Sequence, residues 1–257
     1  PQYAEAHYNR GNCLRDLQKL EEAVEAYDCA IASNPHDAAA YYNRGLVFQK
    51  LQRLQESRDS LKQAAEKEPN NSETLTAYAG VLLQLGDLNQ SLVLYKRAIT
   101  LDVGNAQALN GLGNVEKALG QDVTAMHCYE KAVQLDPKLD SAWNNLGVLH
   151  RRNGQFPSAL KCYIQAIEIN PNAVHSYSNL GNLLSADGKF NEAIECYEAV
   201  LKLDKSILDE SNYLLTKLQL CKWENYNLEI NMLIENIKTK PGKNSIFPFL
   251  AITDKSY

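Results

Sequence analysis

The chain has 257 residues, of which 45% are hydrophobic and 22% are charged, and its formal net charge at pH 7 is −5. This balance is typical of a folded globular protein and argues against an intrinsically disordered chain. The acidic charge argues against nucleic-acid binding, which depends on clustered Lys and Arg, and no apolar run is long enough to cross a bilayer.

The sequence repeats with a period of 34 residues from residue 4 to residue 207. Glycine recurs at this spacing as Gly11, Gly45, Gly113, Gly147 and Gly181, and tyrosine as Tyr27, Tyr95, Tyr129, Tyr163 and Tyr197. The period predicts six repeats, numbered 1 to 6, at residues 4–37, 38–71, 72–105, 106–139, 140–173 and 174–207. Pro1 precedes Pro35 by the same interval, so we expect a further repeat before residue 4 in the parent protein.

Each repeat is predicted to be a hairpin of two helices, as repeat 5 illustrates. Its first helix places Trp143, Leu146, Gly147 and His150 on one face, because they are spaced three and four apart. Gly154 marks the turn, and the second helix presents Ala159, Tyr163, Ala166 and Ile167 as the matching face. Pro171 then ends the helix at the residue before it. One hairpin is too small to bury its own apolar face, so neighbouring hairpins must stack into an all-α solenoid.

The pattern Trp143-x-x-Leu146-Gly147, followed by Ala159, Tyr163, Ala166 and a closing Pro171, resembles that of the tetratricopeptide-repeat family. The resemblance implies a right-handed superhelix of six hairpins whose first helices line a concave groove that binds other proteins. Four residues depart from the pattern, namely Glu116 and His150 at large apolar positions, and Val103 and Lys205 at closing prolines. We expect these departures to loosen single interfaces without changing the fold.

The last fifty residues leave the period. We predict a partial repeat of capping helices over residues 208–239 and a linker over 240–257 that leads into a downstream domain. The apolar run from Ile246 to Ile252 favours such a domain, since it would be poorly buried at a chain end.

The sequence Leu-x-x-Cys-Lys-Trp-x-x-Tyr, from Leu218 to Tyr226, and the later Phe247-Pro248 resemble the junction in protein O-linked N-acetylglucosamine transferases. Members of that family often have Asp where this chain has Lys222. The resemblance implies a catalytic domain that uses UDP-N-acetylglucosamine beyond Tyr257, so that the repeats themselves hold neither a catalytic site nor a cofactor. The open alternatives are a generic capping helix pair around Trp223 and a free-standing adaptor or assembly scaffold.

Asparagines recur at the sixth and ninth positions of the repeats. These positions lie on the face of the first helix opposite the one that packs in the hairpin, which carries Trp143, Leu146 and Gly147 in repeat 5. The predicted polypeptide-binding residues are these asparagines and one neighbour: Asn9, Asn12, Asn43, Asn110, Asn114, Asn145, Asn179 and Asn182. An amide offers a donor and an acceptor, which match the two polar groups of a peptide backbone. The transferase resemblance implies an asparagine ladder at Asn9, Asn43, Asn145 and Asn179, interrupted by Ala77 and Gly111. The alternative is that these amides are solvated or bond neighbouring repeats.

Other residue patterns predict structural roles. A carboxylate clamp is disfavoured, because Tyr8, Glu73 and Ala77 occupy the positions where cations would be required. Six cysteines without a Cys-x-x-Cys pair predict no metal site, and Cys128, Cys162 and Cys196 are expected to pack as small reduced thiols. The expected partners are polypeptide clients, with a homodimer through the convex face left open. The expected location is the cytoplasm, or the nucleus as well in a eukaryote.

Overall fold

The computed structural model describes residues 2–204 and 210–220, and within them it contains thirteen helices and no strand. The helices are α1 (Gln2–Asp16), α2 (Leu20–Ser33), α3 (Ala38–Lys50), α4 (Leu54–Lys67), α5 (Ser72–Gln84), α6 (Leu88–Leu101), α7 (Ala106–Ala118), α8 (Asp122–Leu135), α9 (Asp140–Arg152), α10 (Phe156–Ile169), α11 (Val174–Ala186), α12 (Phe190–Leu203) and α13 (Glu210–Gln219). The predicted all-α class is confirmed, and the helix hairpins fit an α-solenoid.

The helices form antiparallel hairpins, with one hairpin in each 34-residue repeat. The chain divides into two compact units, the first ending at Leu139 and the second beginning at Asp140. In the first unit, α1, α3, α5 and α7 contact one another in succession, and in the second unit α9, α11 and α13 do the same. Within each unit, the first helices of adjacent repeats therefore lie side by side.

Short polar segments fix where the helices begin and turn. The side chains of Asp37, Asn71 and Asn105 accept hydrogen bonds from backbone N–H groups in the first turns of α3, α5 and α7, as N-caps do. Between the two helices of repeats 3 to 6, a glycine adopts a positive φ, as at Gly154 with φ 73°. In repeat 2, Gln52 takes this conformation instead, with φ 60°.

In repeats 1, 4, 5 and 6, the core of the hairpin depends on close contact between a glycine and a tyrosine ring. The tyrosines that recur every 34 residues, which we call the tyrosine stripe, were expected on the packed face of the second helices, and Tyr27, Tyr129, Tyr163 and Tyr197 are indeed fully buried. A methyl group on Gly11, Gly113, Gly147 or Gly181 would stand only 2.5–2.8 Å from a ring carbon of the tyrosine in the same repeat. Any larger residue there would therefore force the two helices apart.

The departures from the repeat pattern are accommodated locally. Glu116 is buried in α7, with one carboxylate oxygen 4.0 Å from Lys96 Nζ. His150 is half-buried, and its Nδ1 lies 2.5 Å from Gln155 Oε1. Val103 is exposed at the end of repeat 3, whereas Lys205 lies outside the described residues.

Helix α13 covers the end of repeat 6. It packs against α11 and α12, with Leu214 buried and the rings of Tyr213 and Tyr197 5.9 Å apart. Thr216 and Ser185 share a hydrogen bond of 2.8 Å. The remainder of the predicted partial repeat and the whole predicted linker, residues 221–257, lie outside the described residues. No helix of the described ranges combines the length and apolar character needed to cross a bilayer.

Candidate polypeptide-binding surface

The first helices present one surface in each unit, formed by the second, sixth and ninth positions of their repeats. We call it the first-helix surface. The residues at the second position are all exposed, namely Glu5, Ala39, Glu73, Gln107, Ser141 and His175. At the sixth position, Asn9 is exposed, Asn43 is buried, and Asn145 and Asn179 are half-buried. The predicted asparagines therefore differ widely in their access to a ligand.

Two amides at the sixth position connect neighbouring first helices. Asn43 Nδ2 donates to Tyr8 Oη at 2.9 Å, and Asn43 Oδ1 accepts from Arg15 Nη1 at 2.9 Å. In the second unit, Asn179 Nδ2 donates to Asn144 Oδ1 at 3.0 Å. At these two positions the structure shows the bonding between neighbouring repeats that was the alternative to a solvated surface.

The amides at the ninth position have a different structural role. Asn12, Asn114 and Asn182 each accept a hydrogen bond from the tyrosine of their own repeat, and every distance is 2.8 Å. The donors are Tyr27, Tyr129 and Tyr197. Any ligand that binds Oδ1 of these amides must share the oxygen with a buried phenol.

The sequence contains a signal for this pairing, because tyrosine and asparagine are lost together in one repeat. In repeat 2 the tyrosine position holds Leu61, and the ninth position holds Leu46, so both halves of the pair are replaced. Repeat 5 keeps Tyr163 but has Val148 at the ninth position. The Tyr163 hydroxyl is accordingly buried without a hydrogen-bond partner among the described residues.

Asn110 and Asn145 are half-buried, and each has an interaction partner. The site prediction also missed Tyr8, Arg15 and Asn144, which bond to asparagines of the next repeat. These residues could not be identified from periodicity, because it assigns a side chain to a face without fixing its direction. Ligand binding by the eight predicted asparagines stays a prediction.

The electrostatic character of the first unit's surface is mildly acidic where it is exposed. Glu5 and Glu73 are exposed, and Arg15 is engaged by Asn43 and by Asp16, 3.0 Å away. Burial raises the pKa of Tyr42, and the negative charge of Glu73 acts in the same direction. At its second, sixth and ninth positions, the first unit's surface therefore carries two carboxylates and several neutral amides, and no Lys or Arg that would bind an anion.

The repeated cysteines are buried, which confirms their predicted packing role. Cys128, Cys162 and Cys196 lie in the second helices, and burial raises the pKa of both Cys162 and Cys196 to about 11. A thiol with a raised pKa is a poor nucleophile at neutral pH, since the thiolate is the reactive form. Cys13 and Cys29, by contrast, are exposed.

The chain matches models of the tetratricopeptide repeat. One model matches residues 139–206, a second matches 11–52 and 113–154, and a third matches 38–71. Together these matches cover more than half of the chain, so it belongs to the tetratricopeptide-repeat family. Such repeats form protein-interaction scaffolds, and this is the functional class that the chain's fold defines.

Solved structures share this fold at low sequence identity. The APC/C hetero-tetramer Cut9–Hcn1 matches with a TM-score of 0.78 at 16% identity, over 84% of this chain and 43% of that one. PilF of Pseudomonas aeruginosa matches with a TM-score of 0.69 at 17% identity, over 85% of this chain and 98% of that one. YrrB, described as a TPR protein with an unusual peptide-binding site, matches at 0.51 and 25% identity, over 66% and 88% of the two chains. No curated protein matches the sequence.

Proposed function

We propose that the first-helix surface binds polypeptides in extended conformation through paired amides. The observation that supports this most directly is the pair in the second unit of Asn179, at the sixth position of repeat 6, and Asn144, which adjoins this surface at the fifth position of repeat 5. The bond from Asn179 Nδ2 to Asn144 Oδ1 orients both amides. Within the described part of the chain, it leaves the Asn144 amide group as a donor and Asn179 Oδ1 as an acceptor without protein partners.

A donor and an acceptor held side by side match the N–H and C=O groups of an extended backbone. Because both residues are half-buried and oriented by each other, they lose little conformational freedom on binding. Backbone recognition of this kind accepts many client sequences. The peptide-binding site named for YrrB supports the proposal by likeness of fold.

Replacing both residues, Asn144→Ala and Asn179→Ala, tests the proposal. The probe is a fluorescein-labelled peptide of about 15 residues, rich in Ser and Thr, which spans about 50 Å when extended. We expect the double variant to lose about 1–3 kcal/mol of binding free energy, since each neutral hydrogen bond contributes about 0.5–1.5 kcal/mol. Fluorescence anisotropy titration measures the change.

The matched control replaces two exposed asparagines of the same unit, Asn153→Ala and Asn191→Ala, which lie in the turn after α9 and in α12. The control variant should bind the peptide like the parent protein. Equal affinity of the parent and the Asn144/Asn179 variant, with both folded by circular dichroism, would exclude binding through this amide pair.

As a finer proposal, we infer that the chain is the client-recognition region of a protein O-linked N-acetylglucosamine transferase. The support is the sequence from Leu218 to Tyr226, of which Leu218 lies in α13 and residues 221–226 lie outside the described ranges. The repeats would then direct Ser- and Thr-containing segments to a catalytic domain encoded further along. The alternative remains a free-standing adaptor.

The reading frame that encodes the parent protein distinguishes the transferase proposal from the adaptor alternative. Continuation into a two-lobed glycosyltransferase domain, with transfer of N-acetylglucosamine from UDP-N-acetylglucosamine to the Ser/Thr-rich peptide by the full-length product, is the expected result. A frame that continues into an unrelated domain would leave the adaptor function in its place.

A further inference from the structure

Tyr95 in α6 packs differently from the other tyrosines of the stripe. In repeats 1, 4, 5 and 6 the ring lies against the glycine of its own first helix, but repeat 3 has Ala79 at that position. Because the Ala79 methyl group takes this space, the Tyr95 ring lies against Gly111 of α7, the first helix of the next repeat. Ala79 and Tyr95 remain in the same buried cluster.

This displacement places the Tyr95 hydroxyl between two glycines of adjacent first helices. A methyl group built on Gly80 would stand 3.3 Å from Tyr95 Oη, and one built on Gly111 would stand 2.5 Å from the same atom. Gly80 occupies the ninth position, where repeats 1, 4 and 6 have the asparagine that accepts the tyrosine hydrogen bond. Gly111 occupies the sixth position, where the asparagine ladder is interrupted.

The Tyr95 hydroxyl makes no hydrogen bond to any described residue, although the side chain is only 4% exposed. Among the described residues, the Tyr163 hydroxyl alone is both inaccessible to solvent and without a hydrogen-bond partner. The Tyr95 hydroxyl also has no partner, so it must keep some contact with solvent. Burial raises the pKa of Tyr95 to about 12, which keeps the hydroxyl protonated and able to donate at neutral pH.

We propose that the Tyr95 hydroxyl, which lies between Gly80 and Gly111, binds a backbone carbonyl of an extended polypeptide. Gly80 is half-buried and has no side chain to cover the hydroxyl, so a second backbone can approach it closely on that side. The hydroxyl then supplies the donor that a carbonyl oxygen requires. This site rests on the proposed function of the first-helix surface. It also gives Gly111, which interrupts the asparagine ladder in the first unit, a place in ligand binding.

Tyr95→Phe removes the hydroxyl and leaves the ring in place. With the Ser/Thr-rich peptide as the probe, we expect about threefold to tenfold weaker binding, as the loss of one neutral hydrogen bond implies. The matched control is Tyr163→Phe, which removes a sealed hydroxyl and should leave peptide affinity unchanged. Selective ¹³Cζ labelling of tyrosine gives a second readout, since the Tyr95 signal should shift on peptide binding and the Tyr163 signal should not.

A further variant, Gly80→Asn, places at the ninth position the amide found in repeats 1, 4 and 6. It should occupy the Tyr95 hydroxyl and weaken peptide binding while the protein stays folded. Unchanged affinity of Tyr95→Phe together with an unshifted Tyr95 signal would overturn the inference. If, in that case, the Asn144/Asn179 double variant binds the peptide more weakly than the parent protein does, the proposed function stands without this site. If the Tyr95 variant alone weakens binding, the site stands and the asparagine mechanism fails.

Discussion

At the residue scale, the tyrosine hydroxyls of the second helices show how one substitution changes the polar satisfaction of a buried group. In repeat 4, Tyr129 donates a hydrogen bond to Asn114 at the ninth position. In repeat 5, the ninth position holds Val148, which offers Tyr163 no acceptor. Burial raises the pKa of Tyr163 to about 12, and the positive charge of the neighbouring Arg151 acts in the opposite direction. Although Arg151 lies beside that hydroxyl, no described residue makes a hydrogen bond of normal distance and angle with it. An unpaired buried hydroxyl costs stability, since its hydration is lost without replacement.

We therefore expect Val148→Asn to stabilise the protein by about 1 kcal/mol, the usual contribution of a hydrogen bond gained by a buried group. The free energy of unfolding from urea denaturation measures the change. The same substitution in a Tyr163→Phe background should give no gain, because the donor is absent. A gain of equal size in both backgrounds would assign the effect to something other than this hydrogen bond.

At the scale of the elements, the bonds between neighbouring first helices decide how firmly each hairpin is tied to the next. In the first unit, Asn43 is 8% exposed and uses both ends of its amide, toward Tyr8 and Arg15 of the preceding repeat. In a solenoid, stability is the sum of repeat and interface contributions, so each such contact acts on one interface.

Asn43→Ala should lower the free energy of unfolding by about 1–3 kcal/mol, because it removes two hydrogen bonds at a packed interface, those to Tyr8 Oη and to Arg15 Nη1. The exposed Asn9, at the same position of repeat 1, provides the control. Asn9→Ala should change stability by less than about 0.5 kcal/mol, as surface substitutions usually do. Similar losses for the two variants in chemical denaturation would contradict a bridging role for Asn43.

Much of the element-level structure could be predicted from the sequence, because a repeat of 34 residues allows one hairpin to be inferred from the others. The helix pairs, the buried tyrosines and the packed cysteines follow from the spacing of small and apolar residues. The hydrogen-bond partners of the asparagines do not follow from this spacing, since it does not fix the rotamer that directs the Asn43 amide toward Tyr8 and Arg15. The pairing of Tyr27 with Asn12 could have been inferred from the joint loss of both residues in repeat 2.

At the scale of the whole molecule, the fold defines a class of scaffold but not its client. The matched chain of the Cut9–Hcn1 structure and PilF share the fold with this chain at 16% and 17% identity, which says nothing of common partners. The function must therefore be tested at the surface that the account selects. That surface belongs to the first helices of each unit, and its polar groups are mostly neutral amides, with the carboxylates of Glu5 and Glu73 in the first unit.

Hydrogen exchange measured with and without the Ser/Thr-rich peptide tests this claim most directly, because it reports each helix of the same molecule separately. We predict that bound peptide slows amide exchange in the first helices, α5, α7, α9 and α11 above all, and leaves the second helices α6, α8, α10 and α12 unchanged. Slowed exchange confined to the second helices, or no change at saturating peptide, would contradict the account.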